Sequence, residues 1–131
     1  MQGRTVLFVA SVLCAAGAAA CGSIAAPSER TTDTLTGTIK VHGSDVRNFT
    51  ASKRGELDIK LVSLTPSFAS PIAIQLAQQI AGNCSYGGPL FVLVGANTSY
   101  GLIDPGVYCV ALSDTGTMTV DENYTITITH P

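Results

Sequence analysis

Glu56-Leu57-Asp58-Ile59-Lys60-Leu61 alternates charged and apolar side chains at every step. A period of two puts Leu57, Ile59 and Leu61 on one face of an extended strand and Glu56, Asp58 and Lys60 on the other, whereas a helix would scatter both sets. The segment therefore reads as a strand with one face in a core and one in water. Tyr124-Thr125-Ile126-Thr127-Ile128-Thr129 repeats the pattern, with Tyr124, Ile126 and Ile128 expected inward and the threonines outward.

Working outward, Thr34–Val41, Val46–Ser52, Leu90–Val94 and Val107–Ser113 also read as strands. Residues 72–81 fit either period. Ile72, Ile74 and Leu76 suit a strand, and Ile72, Leu76 and Ile80 suit a helix; the β surroundings favour the strand. Turn chemistry separates these runs at His42–Asp45, Lys53–Gly55, Asn83–Pro89, Asn97–Gly101, Asp104–Gly106 and Asp114–Gly116, and a loop with two prolines fills 65–71. The pattern predicts an all-β, antiparallel two-sheet sandwich of seven to eight strands over residues 34–131.

The first twenty residues read differently. Arg4 gives a positive start, Val6–Ala16 is apolar apart from Ser11, and Gly17–Ala20 is small. This is the pattern of a secretory signal, and the run is short for a membrane span. Ala18-Ala19-Ala20-Cys21 resembles the lipobox of bacterial lipoproteins, with Ala18 where leucine is usual. The resemblance implies lipid attachment at Cys21 and a membrane partner through that lipid; the alternative is plain signal cleavage with a free Cys21. Residues 21–33 are polar and are expected to be a flexible tether.

Cysteine parity agrees with export. Cys14 leaves with the leader, and acylation of Cys21 leaves Cys84 and Cys109 as an even pair in an oxidising compartment, where a disulfide is expected. After the leader, six Lys/Arg stand against nine Asp/Glu. A balance this weak and mixed gives no footprint for nucleic acid. The absence of Trp demotes a stacking platform for sugars or bases.

From Asp45 onward, Asp45-Val-Arg47-Asn-Phe49, Gly55-Glu-Leu57-Asp-Ile59, Pro105-Gly-Val-Tyr108-Cys-Val110 and Tyr124-Thr-Ile-Thr-Ile128 resemble the bacterial pre-peptidase C-terminal domain, a jelly-roll-like sandwich found on secreted enzymes and in stand-alone exported proteins. The resemblance implies an accessory role. Some members bind calcium through carboxylates near the first of these segments. Here Arg47 stands where a second carboxylate would, so Asp45 reads as a turn residue and no calcium site is carried over.

No catalytic, metal or cofactor constellation emerges. His42 and His130 share no motif with a nucleophile or carboxylate, Cys84 and Cys109 are too far apart for a zinc motif, and Glu56 and Asp58 read as a solvated strand face. All four asparagines, Asn48, Asn83, Asn97 and Asn123, open an Asn-x-Ser/Thr sequence, a glycan acceptor in eukaryotic secretion. The sequence thus predicts an exported, lipid-anchored envelope protein whose sandwich is a non-catalytic binding or structural module for an envelope protein or glycan. The rivals are a secreted inhibitor or chaperone of an extracellular protease, and a small hydrolase whose site is assembled only in space.

Overall fold

The computed structural model describes residues 29–66 and 69–131. The expected signal peptide, Cys21 and the tether up to residue 28 lie outside the described residues. Nine strands follow in order: β1 Thr31–Ile39, β2 Ser44–Ala51, β3 Gly55–Thr65, β4 Ile72–Ile80, β5 Asn83–Cys84, β6 Leu90–Val92, β7 Asn97–Ile103, β8 Gly106–Ser113 and β9 Glu122–His130. They form two antiparallel sheets, one ordered β1-β9-β3-β7 and the other β2-β8-β4-β5, with β6 also on β4.

The pairings have a simple origin. β1 pairs β9, β2 pairs β8, β3 pairs β7, and β4 pairs both β5 and β6. The domain is therefore one long hairpin, doubled back at Ala81-Gly82 and rolled so that β9 meets β3 and β8 meets β4. That is a jelly roll. At the tip both Ala81 (φ 50°) and Gly82 (φ 82°) are left-handed, the backbone that a two-residue hairpin turn requires. Eight strand positions make the roll, and the count rises to nine because one of them is split into β5 and β6.

Alternation fixes the two inner faces. Leu57, Ile59 and Leu61 from β3, Ile72 and Ile74 from β4, Val110 and Leu112 from β8, and Tyr124, Ile126 and Ile128 from β9 are all buried in one core. The ambiguous segment 72–81 is the strand β4, because Ile72 and Ile74 meet this core at a period of two.

Four expectations change. Residues 97–101 are not a turn but most of β7, whose backbone pairs with β3 from Lys60 to Gly55. A polar edge strand needs no apolar alternation when a neighbour supplies the ladder. Asp45 is not a turn residue; it lies within β2, opposite Leu112. The segment 83–89 opens with β5. The first strand starts at Thr31, inside the segment 21–33 expected as tether, because Thr31–Asp33 pair with Ile128–His130.

Three side-chain devices close the roll. Tyr108 donates to the Asp104 carbonyl at 2.7 Å and stacks on Phe49 with ring centroids 5.4 Å apart, which fixes the Asp104–Gly106 turn. Tyr124 runs past Gly37 and donates to Asp45 at 2.8 Å, while Arg47 donates to the Tyr124 hydroxyl at 3.2 Å. A Cβ on Gly37 would strike all three of these groups, so glycine is required there by the close approach. Burial, foremost, pushes the Tyr124 phenol up to about 12, so it acts as a neutral hydrogen-bonding strut.

The third device is Asp114. Its buried carboxylate accepts the backbone N–H groups of His42, Gly116, Thr117 and Met118 at 2.8–3.1 Å, tying the β8–β9 connection to the β1–β2 turn. Burial alone would raise its pKa, but the four donors outweigh it and hold the carboxyl below its ordinary value. The stability it contributes is therefore present above the ordinary aspartate range and is lost as pH falls through the depressed value. Glu122 has the opposite sign. It is buried, its Oε2 has no partner among the described residues, and burial raises its pKa, so its contribution is lost as pH rises. Asp114→Ala should destabilise by about 1–3 kcal/mol at neutral pH. The difference from wild type should shrink in acid, as read by urea denaturation across pH. A difference that stays constant into strong acid would contradict an ionised, backbone-bound Asp114.

Candidate functional site

The outer face of the β1-β9 pair is a double row of hydroxyls, flanked on β3 by Lys60 opposite Thr127 and Asp58 opposite Thr129. Register sets Thr32 opposite Thr129, Thr34 opposite Thr127, Thr36 opposite Thr125 and Thr38 opposite Asn123. The strand rise makes this double row about 20 Å long. The inward partners in the same strands, Ile39, Tyr124, Ile126 and Ile128, are buried, so the sheet holds the row rigidly from behind.

Near one end the row opens into a concavity of about 390 Å³, lined by Thr36, Gly37 and Thr38 of β1, Ser63 and Thr65 of β3, and Asn123, Tyr124 and Thr125 of β9. The register of β3 against β9 shifts between Leu61 and Ser63, a bulge that bends the strand beside the hollow. The volume lies in the range of small-ligand sites. Apart from the phenol of Tyr124, which Arg47 and Asp45 engage, the lining holds no ionisable side chain. Thr38 Oγ1 donates to Asn123 Oδ1 at 2.7 Å, which leaves the Asn123 amide nitrogen as a donor. Lys40 pairs with Asp121 at 2.7 Å near the hollow, while farther along the row Lys60 is exposed beside Thr127 and Arg30 pairs with Asp58 beside Thr129. The hollow offers neutral donors and acceptors interleaved with threonine methyl groups, which suits a neutral polyhydroxylated ligand.

The residues singled out in the sequence fall as follows. Cys84 and Cys109 are joined in a disulfide on the other sheet. Asn48, Asn83, Asn97 and Asn123 are all exposed, on β2, β5, β7 and β9. Glu56 is exposed, and Asp58 binds Arg30. His42 lies 3.6 Å from Asp114, and His130 is buried with Nε2 at 3.1 Å from Asp33 Oδ2 and its ring 5.2 Å from Phe49. Both histidines thus meet carboxylates that sequence spacing did not reveal. Neither imidazole is hydrogen-bonded to a hydroxyl or thiol among the described residues. Among those residues, too, no three His, Cys, Asp or Glu side chains converge to hold a metal.

The reading from sequence passed over Thr36, Thr38, Ser63, Thr65 and Asn123 as site residues. A signal was present: threonine occupies every second position from Thr32 to Thr38 and again from Thr125 to Thr129. Only the register between strands far apart in the chain makes the two rows adjacent.

No family model matches the chain, and no curated protein matches it. Among solved structures the chain is similar to the Yersinia pseudotuberculosis-derived mitogen, at 17 % identity with a TM-score of 0.58, over 79 % of this chain and 88 % of that one. A protein of Sulfurospirillum deleyianum also matches, at 7 % identity and a TM-score of 0.37, over 72 % and 96 % of the two chains. At this identity the likeness to the mitogen is one of fold: a two-sheet β architecture.

Proposed function

We propose that this chain is an exported, lipid-anchored binding module of the cell envelope, and that the hydroxyl face of its four-stranded sheet binds a neutral glycan chain. The hollow lined by Thr36, Thr38, Ser63, Thr65, Asn123 and Thr125 carries this reading. Its groups can exchange hydrogen bonds with sugar hydroxyls without desolvating a charge. The double threonine row continues from the hollow for several sugar lengths, which favours a linear polymer over a small solute. The lipobox-like Cys21 and the resemblance to the pre-peptidase C-terminal domain support an accessory, envelope-held role.

Two measurements test the two halves. Purified sacculi and the neutral polysaccharides dextran, amylose and mannan serve as binding probes. Thr36→Val with Thr125→Val should weaken retention about tenfold, the worth of one or two neutral hydrogen bonds, with little change in melting temperature. Retention of none of these probes by the wild type would overturn the glycan reading. Separately, Cys21→Ser should abolish labelling by a fatty-acid analogue and detergent partitioning in a host that processes lipoproteins. Continued labelling of that variant would sink the anchor.

A further inference from the structure

We propose that Asn48, Asn83 and Asn97 are acceptors for N-linked glycans, transferred to this chain as it is exported. The protein has four asparagines, and each stands two places before a Ser or Thr: Asn48-Phe-Thr50, Asn83-Cys-Ser85, Asn97-Thr-Ser99 and Asn123-Tyr-Thr125. The residue between is never proline, so all four are complete acceptor sequences. The modification rests on export, as proposed above, and requires neither lipid at Cys21 nor a ligand in the hollow.

A fold rich in hydroxyls does not account for this pattern. On a strand, residues two apart share a face, and threonine favours solvent faces, so any outward polar side chain can acquire a hydroxyl at that spacing. The other polar residues did not. Of all the Asp, Glu, Lys, Arg and Gln in the chain, only Glu29 and Arg30 have Ser or Thr two places on, and both precede the pair Thr31-Thr32. Aspartate and glutamine, the closest chemical relatives of asparagine, never have one. The spacing therefore belongs to asparagine and not to strand faces in general.

The fold presents three of the four sequences to solvent. Asn48 with Thr50, Asn83 with Ser85 and Asn97 with Ser99 are exposed at both positions, while Phe49 between the first pair is buried and Cys84 and Thr98 are half-buried. In β2 and β7 the carboxamide and the hydroxyl thus project from one face. The three asparagines also lie on terminal strands: β2 and β5 end one sheet and β7 ends the other. A branch there extends past the edge without crossing a neighbouring strand. On β7, which carries no lysine or proline, it would also block pairing with a second chain. Asn123 differs. It lies on β9 between two strands, its Oδ1 accepts from Thr38 at 2.7 Å, and it lines the hollow, which a glycan at this position would fill.

The donor is an oligosaccharide activated as a lipid-linked pyrophosphate and presented to the exported chain by a membrane-bound transferase. The asparagine Nδ2 bonds to the anomeric carbon of the first sugar. The bond from that carbon to the pyrophosphate oxygen breaks, and the lipid pyrophosphate leaves with the electron pair. One amide proton passes to a base of the transferase, and nothing is oxidised or reduced.

The test is glycopeptide mass spectrometry on the protein recovered from its own organism. Asn48, Asn83 and Asn97 should each carry a sugar mass. Thr50→Ala, Ser85→Ala and Ser99→Ala, all at exposed positions, should each abolish it at the asparagine two places before, and Thr50→Ser should retain it. The wild-type peptides decide the matter even where a variant fails to fold. Two or more of the three asparagines found bare, on a chain whose N-terminal peptide shows the leader removed, would overturn the proposal and leave export standing. An intact leader on an unmodified chain would overturn both. A sugar that survives the alanine changes would overturn it too, because transfer directed by these sequences needs the hydroxyl. A glycan found on Asn123 as well would extend the modification to the fourth sequence and remove the hollow as an open binding site.

Discussion

Ile126→Ala is expected to lower the stability of this domain by about 2–5 kcal/mol, and Thr127→Ala to change it by less than about 0.5 kcal/mol. The two residues are neighbours in the central strand β9, which pairs with β1 on one side and β3 on the other. Ile126 is fully buried between Leu35 of β1 and Leu61 of β3 in register, and it belongs to the core. Truncation removes its transfer free energy and leaves a cavity that strands hydrogen-bonded on both sides cannot collapse to fill. Thr127 points to the outer face beside Thr34 and Lys60 and loses only a hydroxyl and a methyl at a half-exposed site. A domain of this size is stable by about 5–15 kcal/mol, so the isoleucine change should shift the urea midpoint strongly. Leu57, Ile59 and Leu61, equally buried, should behave like Ile126. Equal losses at Ile126 and Thr127 would mean that β9 is covered on both faces, and would remove the open hydroxyl face on which glycan binding rests.

Removing the disulfide should have an effect of similar size. Cys84 and Cys109 are 25 residues apart, and closing that loop in the unfolded chain is worth about 3–4 kcal/mol on the chain-entropy model. The native geometry adds a second reason. Cys109 faces Ala77 of β4, and β4 stands between β8 and β5. Two strand spacings would be about 9.6 Å, but the two Cα atoms are 6.2 Å apart. The chain after the hairpin tip therefore arches over the outer surface of β4, and Gln75 donates to Gly87 O at 2.8 Å to hold it there. The strap covers small outward residues: Ala77, Cys109 and Ala111 are buried although they face away from the core. Cys84→Ala with Cys109→Ala should lower the unfolding free energy by about 3–4 kcal/mol and loosen the strap, read by denaturation and by faster amide exchange in residues 83–89. Thiol counting on the denatured, unreduced mature protein should find neither cysteine reactive. Reactive thiols at both positions, or a double variant as stable as the wild type, would refute the bridge.

The sequence by itself determined what a local pattern can determine. Strict alternation at 56–61 and 124–129 set which side chains enter the core, because the strand period of two leaves no other arrangement that buries Leu57 and Ile126 without burying Lys60 and Thr127. Cysteine parity named the bridged pair without any geometry. The tertiary structure decided the rest, for the reason that the decisive neighbours are far apart in the chain. β7 is a strand because β3 offers it a ladder, although Asn97-Thr-Ser-Tyr-Gly101 has the composition of a turn. Asp45 leaves turn chemistry for a cross-brace because Tyr124, 79 positions away, reaches it past a glycine. His130 finds Asp33 from 97 positions away. The hollow exists because β1 and β9 align Thr38 with Asn123 across 85 positions while a bulge bends β3 beside them. Each of these depends on register, and register follows from how the whole core packs, which no window of the sequence contains.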